Sequence, residues 1–276
     1  MHTTNLAVSA LAANGRDRET VLHPVRLSIH RGEWVSLLGA NGSGKSTLAK
    51  AIAGMPLDGV SGIVERRLSA ERTAGGATPI VLQNPDAGLV GSSPWEDVVL
   101  MLEQWGNANE SRIASVAEDA LHSLRLGERM HQPIETLSGG QKQLTAIAGC
   151  LAASPELLIL DEVTAMLDPD MSDYVLREVR RLHAAGTTVV WITQKMNELE
   201  GDDSVWVMSG GELVYEGDGY GFFRRSVPGA VDSPAESYGF EAPYAVQVGW
   251  ELEAQGIRLP KIPLRVEQLA EAVNQL

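Results

Sequence analysis

The sequence predicts an α/β fold with a mainly parallel sheet, an antiparallel β part, a helical insert and a small C-terminal helical unit. Three observations carry this prediction. A glycine-rich turn, Gly39 to Thr47, lies between an apolar run, Trp34 to Leu38, and a helical pattern with Leu48, Ala51 and Ile52 on one face. The runs Leu157 to Leu160 and Thr187 to Thr193 suit strands covered on both faces. Between them, residues 171–185 set Tyr174, Val175, Val179 and Leu182 at helical spacing, a βαβ alternation that implies parallel pairing.

Taken in order, Leu6, Val8 and Ala10 alternate, as do Val25, Leu27 and Ile29, so two half-buried strands precede the glycine-rich turn. The second turns at Arg31-Gly32. Gly54 and Pro56 stop the helix after the turn. Residues 58–78, rich in Gly, Ser, Thr, Arg and Glu, read as a surface hairpin or loop. Pro79 to Leu82 is strand-like and ends at Pro85, which cannot donate to a ladder. From about 92 to 153 the pattern is helical, with Ile113, Val116, Ala117, Ala120, Leu121 and Leu124 forming one buried face. Leu137-Ser-Gly-Gly-Gln141 opens a further helix, with Ser138 as its N-cap and Leu144, Ile147, Ala148 and Leu151 facing inward. Ser204 to Met208 and Leu213 to Tyr215 form a hairpin about Ser209-Gly-Gly211. From about 217 a shift to Gly, Pro and Ser reads as a linker, followed by two short helical patterns; in the second, Val266, Leu269, Ala270 and Val273 share a face. The expected division is residues 1–217, with the helical insert at about 84–155, and 218–276.

Charge narrows the function. Against 22 basic residues stand 36 acidic ones, a formal charge of −14, which opposes broad contact with a phosphate backbone and excludes nucleic acid as an expected partner. The single cysteine, Cys150, lies in an apolar helical pattern, so no disulfide framework exists, a reducing compartment is expected, and the thiol reads as core. The start, Met1 to Val8, lacks the basic and apolar regions of a signal peptide, and no run reaches the ~18 apolar residues of a membrane span. A membrane role is therefore expected to be peripheral, through a partner.

Gly39-Ala40-Asn41-Gly42-Ser43-Gly44-Lys45-Ser46-Thr47 has the residues and the strand–turn–helix setting of a phosphate-binding loop. Glycines let backbone N–H groups close around phosphate oxygens, and the helix N-terminus adds partial positive charge. Lys45 would reach the β- and γ-phosphates, and the Ser46 hydroxyl would ligate Mg²⁺. At the end of a buried strand, Asp161 can hold Mg²⁺ through water and Glu162 can polarise an attacking water.

With these motifs in this order, the sequence resembles the ATP-binding cassette (ABC) ATPases over roughly residues 1–217. The resemblance implies a P-loop ATPase core that takes ATP and Mg²⁺. Gly39 to Thr47 matches the Walker A loop and Leu157 to Asp161 Walker B, with Glu162 as the catalytic glutamate. Gln83 matches the Q-loop glutamine, which in the family contacts Mg²⁺ and the water. Leu137 to Gln141 matches the signature motif, and Met166-Leu167-Asp168 the D-loop. In this family two cassettes pack head to tail, so Ser138, Gly139, Gly140 and Gln141 would serve the partner's nucleotide; a helix opening at that point suits an anion. Gln83-Asn84-Pro85-Asp86 and the tail from Pro243, including the Val266-Glu-Gln-Leu-Ala270 helix, narrow the resemblance to the ATPase subunits of energy-coupling factor transporters. That implies a second ABC ATPase, a transmembrane scaffold subunit and a separate substrate-capture membrane protein. The location implied is peripheral, on the cytoplasmic face of the cell membrane, and the task is uptake of vitamins or of nickel or cobalt ions, with 218–276 helping to join the two ATPases.

The match departs at identifiable positions. Gln194 stands where the family usually has a histidine at the γ-phosphate; its amide can donate but cannot carry an imidazolium's charge. Ser9 to Ala13 has no aromatic to stack on adenine, and Leu144 replaces an arginine that often follows the signature. Asp86 is open to two readings, a pairing with an arginine of the membrane partner or a solvated turn aspartate. Gln194 with Glu162 intact suggests pairing with a different ATPase, this chain holding the weaker site; a homodimer is the competing reading. Two further alternatives are a soluble cassette protein of translation or repair, which would normally carry tandem cassettes or a coiled coil, and a subunit that holds ATP without turnover.

Overall fold

A computed structural model describes residues 4–14, 20–57, 59–66, 78–105, 109–225, 232–257 and 259–275. Strands β1 (Thr4–Asn14) and β2 (Thr20–His30) pair antiparallel. Next come β3 (Trp34–Gly39), α1 (Lys45–Ala53) and β4 (Val60–Arg66), whose pairing with β1 completes a three-stranded antiparallel sheet in the order β2-β1-β4. Residues 58–78, expected as a hairpin or loop, thus contribute an edge strand, on which Ile63 is exposed; residues 67–77 lie outside the described residues. Composition hid the strand because an edge strand with an open face need bury little.

The second sheet holds β5 (Ile80–Val81), β6 (Leu157–Asp161), β7 (Thr188–Ile192), β8 (Ser204–Ser209) and β9 (Glu212–Asp218) in the order β5-β6-β7-β3-β8-β9. Every pairing is parallel except β8 with β9, the expected hairpin. All residues of β3, β6 and β7 are buried, because helices or the smaller sheet cover both faces. The region expected to be helical divides into α2 (Pro94–Trp105), α3 (Glu110–Ser123) and α4 (Gly139–Ala153). Ala117, Leu121 and Leu124 from the α3 face join Val98, Leu102 and Ile147 in one core with Leu158 and Trp191 of the sheet. Cys150 belongs to that core, and burial pushes its thiol up to about 12, which makes it an inert packing residue.

Helix α5 (Pro169–Ala184) crosses between β6 and β7. Its Arg180 forks onto Asp203, with Nη1 at 2.5 Å from Oδ1 and Nη2 at 2.7 Å from Oδ2, and lies 3.5 Å over the Trp34 ring. Ser36 of β3 donates to the same carboxylate at 3.2 Å. Burial nevertheless pushes the Asp203 carboxyl above its ordinary value, with the Arg180 hydrogen bond opposing it. The pair therefore fixes where α5 sits on the sheet more than it adds stability.

The C-terminal region differs from expectation. The stretch read as a linker begins with α6 (Gly219–Phe223), whose Phe222 and Phe223 are fully buried against Leu38, Val205 and Val207 of the sheet. Helices α7 (Pro234–Ser237) and α8 (Tyr244–Ala254) add Ala235, Val246 and Trp250 to this core. A short run of glycines and aromatics has no period, so its burial leaves no sequence pattern. Helix α9 (Val266–Asn274) has no buried residue, and Val266 and Val273 of its apolar face are exposed.

Phe222→Ala is expected to cost about 3–5 kcal/mol, the usual penalty for emptying a buried aromatic site, read as a lowered urea midpoint at unchanged slope. A loss below about 1 kcal/mol would mean that α6 is not integral to the sheet's core.

Candidate active site

Parallel pairing brings the site together. Leu37 of β3 and Asp161 of β6 both lie opposite Ile192 of β7, so the segments after these strands leave the sheet side by side at its carboxyl edge. Val81 lies opposite Leu160, which delivers Gln83 to the same edge. A cavity of about 310 Å³ there is lined by Val21, Asn41, Gly42, Ser43, Gly44, Lys45, Ser46, Thr47, Gln83 and Glu162.

The glycine-rich turn is shaped for close approach. Gly39 has φ 152°, and a Cβ there would overlap the Met208 carbonyl oxygen and the Ser43 hydroxyl. Gly44 caps α1 at φ 98°. Lys45 is buried, and its ammonium donates to the carbonyls of Gly39 at 2.8 Å and Ala40 at 3.1 Å. The Ser43 Oγ and the Asp161 Oδ1 are buried without a hydrogen-bond partner. Burial raises the Asp161 carboxyl above its usual range, while a hydrogen bond from Ser46 and the Lys45 charge act the other way. A desolvated carboxylate oxygen with an open valence beside a serine hydroxyl fits a hard divalent cation such as Mg²⁺.

Glu162 leaves β6 at φ 49°, a left-handed conformation that costs a non-glycine residue about 1–3 kcal/mol unless its surroundings hold it. Its N–H donates to the Ile192 carbonyl at 3.0 Å. Its carboxylate receives the Gln194 amide on Oε1 at 2.8 Å and the Gln83 amide on Oε2 at 3.1 Å, with Lys45 Nζ 3.6 Å from Oε1. Gln194 also donates to Asn41 at 2.8 Å, so one neutral amide bridges the glycine-rich turn and Glu162. The cluster presents an ammonium, two amides and a carboxylate around a backbone phosphate cradle, which can bind a polyphosphate and orient a water.

Ser138, Gly139, Gly140, Gln141 and Asp168 do not line this cavity. Ser138 forms a full capping box at the start of α4: its hydroxyl accepts from Gln141 N–H at 3.3 Å, and Gln141 Oε1 accepts from Ser138 N–H at 2.9 Å. Ser138 and Gly139 are exposed, which leaves the helix terminus free to meet an anion from outside the chain. Asp168 is exposed and caps α5, accepting from Met171 N–H at 2.9 Å. The sequence left Asp86 between two readings. It holds an ion pair with Lys142 of α4 at 2.6 Å while its side chain stays 63% exposed, so it is not a solely solvated turn aspartate, and its open side remains accessible to a partner.

Sequence reasoning missed Val21 as a wall of the cavity, since a strand residue far upstream carries no phosphate signal. It also missed Glu198, a buried carboxylate in contact with the segments on either side of Glu162 and Gln194. An acid in the polar turn Lys195-Met-Asn-Glu198 looks solvated.

Removing the Asp161 charge is expected to stabilise the protein kept free of nucleotide and metal. A carboxyl raised by burial adds stability below the ordinary carboxylate range, and that contribution is lost as pH rises through its native value. Asp161→Asn should therefore melt above the wild type at pH 8 in EDTA, with the gap closing toward pH 4. A variant that melts lower at pH 8 would show that Asp161 is held by favourable partners instead.

The ABC transporter family model matches residues 22–165. The energy-coupling factor transporter ATP-binding protein EcfA1 of Symbiobacterium thermophilum is 39% identical over 280 residues, covering 96% of this chain and 94% of its own. The corresponding EcfA of Enterococcus faecium is 35% identical over 260 residues, covering 92% and 91%. Among solved structures, the ATP-binding cassette MJ0796, as a post-hydrolysis dimer with ADP and Pi, superposes at TM-score 0.67 with 26% identity, over 79% of this chain and all (100%) of that one. The cbiO1 protein of Clostridium perfringens, part of the ABC transporter complex cbiONQ, does so at TM-score 0.60 with 29% identity, over 78% and 89%. With relatives that align along nearly its whole length, the chain belongs to the ABC transporter ATPases, in the branch of the energy-coupling factor ATP-binding proteins.

Proposed function

We propose that this chain is the ATP-hydrolysing motor of an energy-coupling factor importer, docked on the cytoplasmic face of a membrane through a transmembrane scaffold subunit. It is an ABC ATPase, and no helix among its described residues is long and apolar enough to cross a membrane. The observation that carries the site reading is the gathering of Lys45, Gln83, Glu162 and Gln194 about one phosphate cradle while Ser138 and Gly139 at the start of α4 are exposed away from it. One chain then offers half of each of two sites, and a second ABC ATPase supplies the rest. The exposed apolar face of α9, in unit 218–276, supports a role for that unit in the pairing. A separate membrane protein captures the vitamin or transition-metal ion, and nucleic acid has no part.

In this reading residues 39–47 bind the ATP phosphates, with Lys45 meeting the charge on the β- and γ-oxygens. Ser46, Asp161 and Gln83 hold Mg²⁺, which when bound neutralises the phosphate charge. Glu162 polarises the attacking water, and Gln194 turns the N–H it gives to Asn41 toward the γ-phosphate once nucleotide is bound. Ser138, Gly139, Gly140, Gln141 and Asp168 act across the interface on the partner's nucleotide. Glu162→Gln is expected to lower turnover by about 10²–10⁴ while ATP binding is kept, as for loss of a general base. Equal losses of binding and turnover, measured by filter binding and phosphate release, would remove Glu162 from that role.

Gln194 favours a second reading, that this site is the weaker of an asymmetric pair. Loss of one oriented donor costs about 10²–10³, and a neutral amide recovers part of it. Gln194→His should then raise the single-turnover rate at this site, whereas an unchanged rate would favour an ordinary homodimer. Purification of the tagged chain from detergent-solubilised membranes tests the whole assignment. A hydrophobic scaffold and a second ATPase should copurify; recovery only in the soluble fraction with ribosomal or repair proteins would overturn it.

A further inference from the structure

Glu198 lies outside the phosphate cradle, yet it is 4% exposed and saturated with donors. Its Oε1 accepts from the Thr164 hydroxyl at 2.7 Å, and its Oε2 from the Thr193 hydroxyl at 2.6 Å and the Trp191 indole N–H at 2.8 Å. Thr164 follows Glu162 by two residues, and Thr193 directly precedes Gln194. Lys195 strengthens the same knot: its N–H donates to Thr193 Oγ1 at 3.0 Å, and its ammonium donates to the Thr164 carbonyl at 3.1 Å, 3.6 Å from Glu198 Oε1. One carboxylate thus joins the segment after β6 to the segment after β7, the pair whose tips meet where Gln194 donates to Glu162.

We propose that Glu198 is a positioning residue for ATP hydrolysis, setting the separation of Glu162 and Gln194 by clamping Thr164 with one carboxylate oxygen and Thr193 with the other. The inference rests on the reading of Glu162 as the group that polarises water. Glu162 holds a left-handed backbone, which persists only where neighbours over-determine it, and the turn it opens, closed by the Ala165 N–H on the Glu162 carbonyl at 3.1 Å, runs through Thr164. A buried carboxylate serves better than an apolar filler here because it accepts from three donors arriving from two segments, each of which would otherwise be left buried and unpaired. Relaxing either arm lets a tip drift, and a misplacement of about 1 Å at a reacting centre costs about 10²-fold. Glu198 touches no substrate, so its loss should slow turnover without weakening ATP binding.

Because Glu198→Ala leaves three donors stranded and risks misfolding, the test severs one arm. Thr164→Val keeps the shape and removes only the hydroxyl on Oε1. In the full chain, assembled with the subunits it copurifies with, kcat per ATP-binding site should fall about 10-fold or more, with the ATP dissociation constant and binding stoichiometry within about twofold of wild type. In a Glu162→Gln background the same substitution should lower the residual single-turnover rate no further, because its effect passes through Glu162. Unchanged kcat for Thr164→Val, a fall in binding stoichiometry that matches the fall in rate, or the same fold-loss in both backgrounds would overturn the inference. Full activity of Glu162→Gln alone would overturn the proposed role of Glu162 and this inference with it, whereas a normal Glu162→Gln defect beside an inert Thr164→Val would overturn the positioning role alone.

Discussion

The structure depends on the parallel register of β6, β7 and β3. Because Asp161 and Leu37 both lie opposite Ile192, three segments leave the sheet within hydrogen-bonding range of each other without any need to be close in sequence. That register is held from both faces: Leu157, Ile159, Val35 and Leu37 join one core with α1 and the antiparallel sheet, while Leu158, Leu160 and Trp191 join the other with α2, α4 and α5. A slip of one residue would send each of these side chains to the wrong core, so the register is set by a large apolar burial. The polar edge then comes with it.

What the sheet assembles there is short of partners by design. Asp161 retains a buried oxygen without a donor and a carboxyl raised by burial, and the Ser43 hydroxyl is likewise unmet. Each costs stability in an isolated chain, typically about 1–3 kcal/mol for a stranded polar group. Groups of this kind persist where a ligand completes them, and the donors and acceptors on view suit a phosphate chain and a hard cation. The cavity is therefore pre-arranged, with Lys45 already held by the turn it serves and Glu162 already held by two amides.

Most of this was legible in the sequence, for reasons that differ by element. The buried strands were legible because a strand covered on both faces is apolar without interruption, as in Leu157 to Leu160. The helix starts were legible because capping is local: Ser138 and Gln141 carry both halves of the capping box within four residues. The C-terminal stretch was not, since Phe222 and Phe223 are buried by a sheet whose position no local pattern encodes. Edge strand β4 hid for the opposite reason, having little to bury. At the site, the members with motif neighbours, Lys45, Asp161 and Glu162, could be named from spacing, whereas Glu198 acts through contacts with Thr164 and Thr193 that only the folded chain brings about.

Gln194 shows how far a single position can shift the chemistry of such a site. In the fold its amide occupies a bridge between Asn41 and the Glu162 carboxylate, both hydrogen-bond acceptors, and spends both donors there. An imidazolium in the same place would add charge beside a developing negative centre, while the amide adds only directed dipoles. With Lys45 already 3.6 Å from Glu162, the cluster has one formal positive charge where the histidine form has two at low pH. The electrostatic weight of phosphate stabilisation would thus move onto Lys45, the backbone N–H groups of the cradle and, on the proposed pairing, the partner's signature helix. On the proposed pairing of two cassettes, a site arranged in this way would depend more on closure by its partner than one that carries its own second cation, and that dependence would place the control of turnover at their interface.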